Sequence, residues 1–341
     1  MDLISLLSNT GNGLSALQAK ASTIGNNIAN ANTPGYARQN ANLEESIPSA
    51  LAGNRGFIGG GVHLGSVTQT RSQFIEAQLP SAFSNASASS ARSDALAALS
   101  TFDNGNENDL TGALSAFYSD LTALAQNPGD PSLRQSAVQA ANWLVSSFNR
   151  TSSSIELSRT AIDASVRDTI QQVNASAQQV ADLNRRIAAM SAGGAQPTDL
   201  LDQRHNLIDQ MAQLIGTRQV PDAYGNISLV LPGGVTLVSA GKANTLSLQG
   251  DSTNKGHLNV MSTPSAGTEL VMLNQAEMGG QVAGLLAARD QDLGPTSRDL
   301  DTLAYDFASA LNAQNRAGFD LYGTAGGDIF VMGATSENAA S

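Results

Sequence analysis

Apolar side chains recur at heptad spacing along the first 28 residues of the chain. A repeat of this kind places a narrow apolar stripe on one side of a helix, which is typical of a coiled-coil seam. The stripe consists of Leu3, Leu7, Leu14, Leu17, Ala21, Ile24 and Ile28, and Thr10 is the one polar residue in the series. The chain is therefore predicted to begin with a helix that needs a partner to cover one of its faces.

The predicted helix ends in a sharp turn. Asn27, Asn30 and Asn32 carry side chains that compete for backbone hydrogen bonds, which suits a helix end. Pro34 cannot continue a helix, and it biases Thr33 towards extended geometry. Pro34 and Gly35 fit the two central positions of a type II turn, in which the glycine takes a positive φ.

Most of the remaining chain has a helical period of apolar residues. A long helix and a second helix are joined by a short loop, so these two are predicted to be antiparallel. The second helix is predicted to start with Thr198 or Asp199 as its N-cap. The helical stretches begin near residue 72, run through 110–124, 131–190 and 198–214, and resume at 279–317, with a polar loop at 103–109.

Two stretches predict strands. Residues 219–273 alternate apolar and polar side chains and turn at Pro232-Gly233-Gly234. Residues 56–70 predict a short hairpin or an extended piece, with the glycines at 59–61 as its turn.

Together these patterns predict a mainly α fold with a small β domain. The predicted parts are a terminal coiled-coil-type helix, a long antiparallel helical bundle domain and an inserted β-rich domain. In residue numbers they are 1–45 for the terminal helix and turn, 46–215 plus 280–317 for the helical domain, 216–279 for the β-rich insert, and 318–341 for the start of a truncated further segment.

Composition narrows the possible functions. Cysteine is absent, so disulfides and thiol chemistry are excluded for these residues. A net charge of −11 argues against a nucleic-acid or anionic-membrane surface. No apolar stretch is long enough for a membrane span, and the first residues lack the pattern of a secretory signal, which alone would indicate a cytoplasmic protein.

One cluster of ionisable residues could carry chemistry. Asp202, His205 and Asp209 follow one another at helical spacing after Asp199, which is compatible with a metal or acid–base site. Arg204 lies among them, so a solvated helix face or a row of ion pairs between helices is the better interpretation. The glycines at 59–65 lack the Lys-Ser/Thr of a phosphate-binding loop. No catalytic residue, cofactor or metal is predicted.

The sequence Ala29-Asn30-Ala31-Asn32-Thr33-Pro34-Gly35-Tyr36, with the helix before it, resembles the N-terminal signature of the flagellar rod, hook and hook-associated family. The sequence Asp199-Leu200-Leu201-Asp202-Gln203-Arg204 and the order of long helices and β insert resemble its hook-associated branch. Members of the family end in a second amphipathic helix that pairs with the first. No such helix is visible before the polar tail at 333–341, so a fragment or a short relative is expected.

The resemblance implies a structural protein of the hook–filament junction, not an enzyme, exported through the flagellar type III apparatus without a cleaved signal peptide. It implies further copies in a ring or helical layer, the hook protein, a second junction protein and an export chaperone as partners, with no nucleic acid or membrane. The expected assembly interface consists of Leu3, Leu7, Leu14, Leu17, Ile24, Ile28, Asn30, Asn32, Thr33, Pro34, Gly35 and Tyr36. The alternatives are a distal rod or hook protein and a flagellum-associated wall hydrolase.

Overall fold

The computed structural model describes residues 3–50, 57–97, 109–193, 196–222, 225–263, 270–320 and 322–332. Its helices are α1 (Leu3–Ala29), α2 (Gln73–Ala97), α3 (Leu110–Gln126), α4 (Pro131–Ala192), α5 (Thr198–Ile215), α6 (Gly280–Ala287) and α7 (Gly294–Arg316). Helices dominate and the strands are short, so the predicted mainly α fold with a small β domain is confirmed. Among the described helices we find no stretch with the length and hydropathy of a transmembrane span.

The helix ends follow local sequence signals. Asp109 caps α3, since its Oδ1 accepts a hydrogen bond from the Gly112 amide at 2.8 Å. The sequence Asn127-Pro128-Gly129-Asp130 separates α3 from α4, and Pro131 opens α4 where its missing N–H costs nothing. Most of the predicted loop at 103–109 lies outside the described residues.

The predicted N-cap of α5 is wrong. The cap position is Pro197, and no side chain caps the helix there. Thr198 and Asp199 lie in the first turn, and their side chains accept hydrogen bonds from Gln39 Nε2 at 3.1 and 3.5 Å. These side chains contact the N-terminal region and therefore do not fold back onto their own helix.

The strands are β1 (Gln39–Glu45), β2 (Ser49–Ala50), β3 (Phe57–Ile58), β4 (Val62–Gln69), β5 (Arg218–Pro221), β6 (Ile227–Val230), β7 (Thr236–Ser239), β8 (Lys242–Ala243), β9 (Leu246–Gly250), β10 (Leu258–Ser262) and β11 (Val271–Met272). The predicted hairpin around residues 59–61 is wrong, because β4 pairs antiparallel with β1 and β3 pairs with β2. The alternative of an extended piece is correct for β4. The prediction missed β1 because its sequence, Gln-Asn-Ala-Asn-Leu-Glu-Glu, is largely polar.

The predicted β insert contains a four-stranded antiparallel sheet in the order β5-β6-β7-β8 and a three-stranded sheet in the order β11-β10-β9. The connection from β6 to β7 turns at Pro232-Gly233-Gly234 as predicted, with Gly234 at a φ of 89°. Alternate residues of β6 are buried, which matches the apolar–polar alternation of its sequence.

The chain divides into two compact units. The first contains residues 1–86, 171–247 and 260–280, and its core is formed by side chains of α4, α5 and the four-stranded sheet. Its fully buried residues include Val173, Val180, Ile208, Met211, Ile215, Leu229 and Leu237. These units group the elements differently from the predicted domain boundaries, which stay a prediction.

The second unit contains residues 87–170, 248–259 and 281–341. The Phe117 ring lies 5.9 Å from that of Phe307 and 6.2 Å from that of Phe330, centroid to centroid. Arg289 is 1% exposed and lies in a π-helical segment, Ala288–Leu293. It pairs with Asp163, which also lies 2.7 Å from His257 Nδ1. The buried guanidinium is thus neutralised within its own unit, as burial of a charge requires.

Candidate assembly surface

Helix α1 packs against the β1–β4 hairpin through a face of small side chains. Ala16 and Thr23 are buried on this face. Asn27 donates a hydrogen bond from Nδ2 to the Gln39 carbonyl, and its Oδ1 accepts one from the Gln39 amide, both at 2.8 Å. Since one side chain satisfies both backbone groups of Gln39, the end of α1 is fixed to the start of β1.

The apolar stripe lies on another face of α1 and is exposed. The exposed fractions are 73% for Leu7, 59% for Leu14 and Leu17, 51% for Ile24 and 72% for Ile28. The backbone of Leu3 belongs to α1, whereas its side chain lies outside the described part. A stripe this apolar on a helix surface is typical of an interaction site.

The turn after α1 has the predicted geometry. The Tyr36 amide donates to the Thr33 carbonyl at 3.2 Å, and Gly35 lies between them with a φ of 77°. The Asn30 side chain donates to the Asn26 carbonyl at 3.1 Å, and the Asn30 amide donates to the same carbonyl at 3.0 Å, so Asn30 closes the last turn of α1. Asn32, Thr33 and Pro34 are exposed, so the turn itself is accessible to a partner.

Tyr36 folds back onto the helix that precedes it. Its hydroxyl donates to Asn27 Oδ1 at 2.9 Å. Burial raises the pKa of the Tyr36 hydroxyl, and the negative charges of Asp202 and Asp199 raise this pKa further. The hydroxyl therefore keeps its proton and remains a hydrogen-bond donor.

The turn is held on α5 by an ion pair. Arg71 Nη2 donates to the Gly35 carbonyl at 2.9 Å and also to the carboxylate of Asp202. A Cβ atom added to Gly35 would lie 1.6 Å from Oδ1 of Asn206 on α5. Glycine at position 35 is thus required twice, by its φ and by the close approach of the helix.

The hairpin is held on the same helix. Gln39 and Gln69 face each other across β1 and β4, and both side chains contact Thr198 at the start of α5. Gln39 Nε2 donates to Thr198 Oγ1 at 3.1 Å, and Gln69 Nε2 donates to the Thr198 carbonyl at 2.9 Å. The first residues of α5 are therefore the attachment point of both the turn and the hairpin.

In the cluster of Asp199, Asp202, His205 and Asp209, the first three side chains contact other elements, and Asp199 does so through Gln39. Asp202 pairs with Arg71, and His205 Nε2 lies 3.7 Å from Oε2 of Glu76 on α2. Burial lowers the pKa of His205, which Glu76 partly offsets, and burial raises the pKa of Asp209, with Glu76 adding to the rise. Among the described residues no group of His, Asp and Glu has the arrangement of a metal site.

Arg204, on the other side of α5, anchors the β sheet. Its Nη1 donates to Asn184 Oδ1 on α4 at 2.9 Å and to the Gly225 carbonyl at 3.0 Å. Burial lowers the pKa of Arg204 to about 10. Asn184 is fully buried and donates to the Ile227 carbonyl at 2.8 Å, so α4, α5 and the four-stranded sheet meet at this pair. These contacts also confirm that α4 and α5 are neighbours, as their short connection predicted.

Sequence reasoning missed Arg71 and Asn184 as anchoring residues. Neither lies in a motif, and Arg71 is 131 residues from the aspartate that it contacts. Sequence reasoning did single out the sequence Asp199-Leu200-Leu201-Asp202-Gln203-Arg204. In the structure, Asp202 contacts Arg71, and Arg204 contacts Asn184 and Gly225.

Residues 96–330 match the family model described as the flagellar hook-associated protein FlgK helical domain. The chain belongs to the FlgK family. Residues 7–36, which contain most of α1 and the turn, also match the flagella basal body rod protein family. The first match covers α3 to α7 and β5 to β11, and the second covers the exposed stripe from Leu7 onwards.

The relatives carry the same name. The chain is 32% identical to flagellar hook-associated protein 1 of Salmonella typhimurium over 97% of this chain and 60% of that protein. It is 30% identical to the Escherichia coli protein over 96% of this chain and 60% of that protein. It is similar to the structure of the flagellar hook junction protein FlgK from Burkholderia pseudomallei, with a TM-score of 0.68 and 31% identity over 76% of this chain and 47% of that chain. The chain thus spans about 60% of the length of these two curated relatives.

Proposed function

We propose that this FlgK-family chain is part of a structural subunit of the bacterial flagellum that joins the hook to the filament and carries out no catalysis. The observation that supports this most is the state of α1. Its own hairpin and turn hold it in place, while Leu7, Leu14, Leu17 and Ile28 remain more than half exposed. A fixed helix with a free apolar stripe suits assembly with neighbouring subunits.

The proposed assembly interface contains the stripe and the turn. Burying a leucine side chain completely contributes about 1.5–3 kcal/mol, so a partner helix along this stripe would supply a large part of the association free energy. The partners are further copies in a ring or helical layer, the hook protein on one side and the second junction protein on the other. A C-terminal helix of the full-length protein would cover part of the stripe, and an export chaperone would bind near that helix before export.

The proposed location is the hook–filament junction outside the cell, reached through the flagellar type III apparatus without a cleaved signal. Labelling intact flagella with antibodies against this protein tests it. We expect label confined to the tip of the hook, and cells lacking the gene should build hooks without attached filaments. Full-length filaments in such cells would refute the proposal.

A second candidate is a distal rod or hook protein, because residues 7–36 match the rod protein family. The same labelling distinguishes the two. Antibody bound along the whole hook, or at its base, would assign the chain to the rod or hook and not to the junction.

A further inference from the structure

A groove of about 730 Å³ runs between α1 and β1 in the first unit. Ile24 and Ile28 of the apolar stripe form one wall, with exposed fractions of 51% and 72%. Lys20 on α1 and Arg38, the residue before β1, also line the groove, and both are exposed. The groove therefore combines apolar surface with two positive charges, in a chain whose net charge is −11.

Neither cation has a carboxylate within ion-pairing distance among the described residues. Glu44 and Glu45, at the other end of β1, are exposed and likewise have no cationic partner in the part of the chain that the structure describes. Arg38 and Glu44 are six residues apart on an extended strand, which separates them by about 20 Å at ~3.3 Å per residue. The basic and acidic residues at the two ends of β1 are therefore too far apart to neutralise each other.

The two ends lie on the same face of the strand. Arg38, Asn40, Asn42 and Glu44 follow each other at every second position, and side chains two apart in a strand point to the same side. The irregularity in the hairpin leaves β1 continuous, since the extra residue is Gly65 on β4. One exposed face thus runs from a positive residue beside the groove, just before β1, to negative residues at the far end of β1, where the chain continues into the β2–β3 pair.

We propose that the groove between α1 and β1 receives Glu44 and Glu45, the acidic end of β1, from a second copy of this chain. The inference depends on the proposed function, in which copies assemble side by side. A contact between two different surfaces of identical subunits is heterologous and produces rings or helical layers. It would also extend the interface of the apolar stripe, because Ile24 and Ile28 belong to both surfaces.

Site-specific crosslinking tests the contact, and the natural sequence has no cysteine to interfere. The full-length protein carrying Arg38→Cys and Glu44→Cys is assembled into flagella and treated with a short thiol-to-thiol crosslinker. We expect a ladder of linked copies, since each subunit then reacts on both sides. Mixing the two single variants should give dimers only.

The matched control combines Arg38→Cys with Asp168→Cys, which also removes one positive and one negative charge but places the second thiol on an exposed residue of α4. It should give no ladder. Charge exchange provides a second readout. Lys20→Glu with Arg38→Glu should weaken association of the purified protein about tenfold, as loss of two exposed ion pairs predicts, and adding Glu44→Lys with Glu45→Lys should restore it.

Each other outcome overturns the inference. Junctions that assemble normally but give no ladder, or a ladder equal to that of the control, would remove this contact while leaving the proposed function intact. Crosslinks from Arg38→Cys to a different flagellar protein would assign the groove to that protein. Absence of the protein from the junction would instead refute the proposed function itself.

Discussion

Replacing Asp202 by asparagine is expected to loosen the N-terminal segment from α5. The side chains of Arg71 and Asp202 are 22% and 11% exposed, so this ion pair is neither fully buried nor fully exposed. Breaking a fully buried ion pair costs about 3–5 kcal/mol, and breaking an exposed pair costs about 0–1 kcal/mol. Glu76 remains 2.7 Å from Arg71 and keeps part of its charge balanced. We therefore expect a loss of about 1–2 kcal/mol, between those two limits.

Hydrogen exchange of backbone amides measures this loss where it occurs. The opening free energy of amides in the β1–β4 hairpin should fall, because the turn and the hairpin share their attachment to α5. A suitable amide is that of Thr70, which donates to the Arg38 carbonyl at 2.8 Å. Trypsin cleavage after Arg38, which is exposed beside this attachment, should become faster in parallel.

Asp182→Asn is the matched control, because it makes the same change in a pair whose side chains are 52% and 51% exposed. It should alter exchange by less than about 0.5 kcal/mol. In a double-mutant cycle with Arg71→Gln, the coupling between positions 71 and 202 should be about 1 kcal/mol. If Asp202→Asn resembles the control, or if the two changes are additive, the ion pair does not hold the turn.

Three further predictions concern the same unit. Gly35→Ala should destabilise the turn by about 1–3 kcal/mol in the same exchange assay, because alanine disfavours a positive φ and its Cβ would meet Asn206. The control is Gly11→Ala in α1, where an added Cβ meets no atom within 4 Å, and it should be neutral or stabilising. Leu17→Ser should leave the unfolding temperature of the monomer unchanged, because Leu17 is 59% exposed, but it should reduce incorporation of the protein into flagella. Leu157→Ser, at a residue of the second unit that is 70% exposed, should change neither the unfolding temperature nor the incorporation. Burial raises the pKa of Asp209, so its stabilising contribution is complete below the usual pKa of about 3.8 and is lost as pH rises through the raised pKa. Asp209→Asn should therefore stabilise the protein at pH 7 relative to pH 4 in urea unfolding, and equal effects at both pH values would contradict the assignment.

The sequence predicted the elements whose signals are local or periodic. These elements are the stripe of α1, the Pro34-Gly35 turn and the helices α4 and α5. The sequence signal for each is a turn motif or an apolar repeat between residues a few positions apart. The pairing of β1 with β4 escaped prediction, because β1 is mostly polar and its partner begins 17 residues after it ends, at Val62. Arg71 escaped because its role depends on Asp202, and only the folded chain brings the two together. Thr198 or Asp199 was predicted to cap α5, but both side chains and the Thr198 carbonyl accept hydrogen bonds from Gln39 or Gln69 instead.

In the proposed assembly, one face of α1 holds the helix in place and another face binds a partner. The docked face uses Ala16, Thr23 and the directional hydrogen bonds of Asn27, which fix orientation while burying little apolar area. Hydrophobic attraction is non-directional and scales with the apolar area removed from water, so it suits association more than precise orientation. If leucines had formed the docked face, the same burial would have stabilised the monomer and left less for assembly. Because small and polar side chains hold α1 in place, Leu7, Leu14 and Leu17 remain exposed, and in the proposed assembly the free energy of burying them is available for a neighbouring subunit.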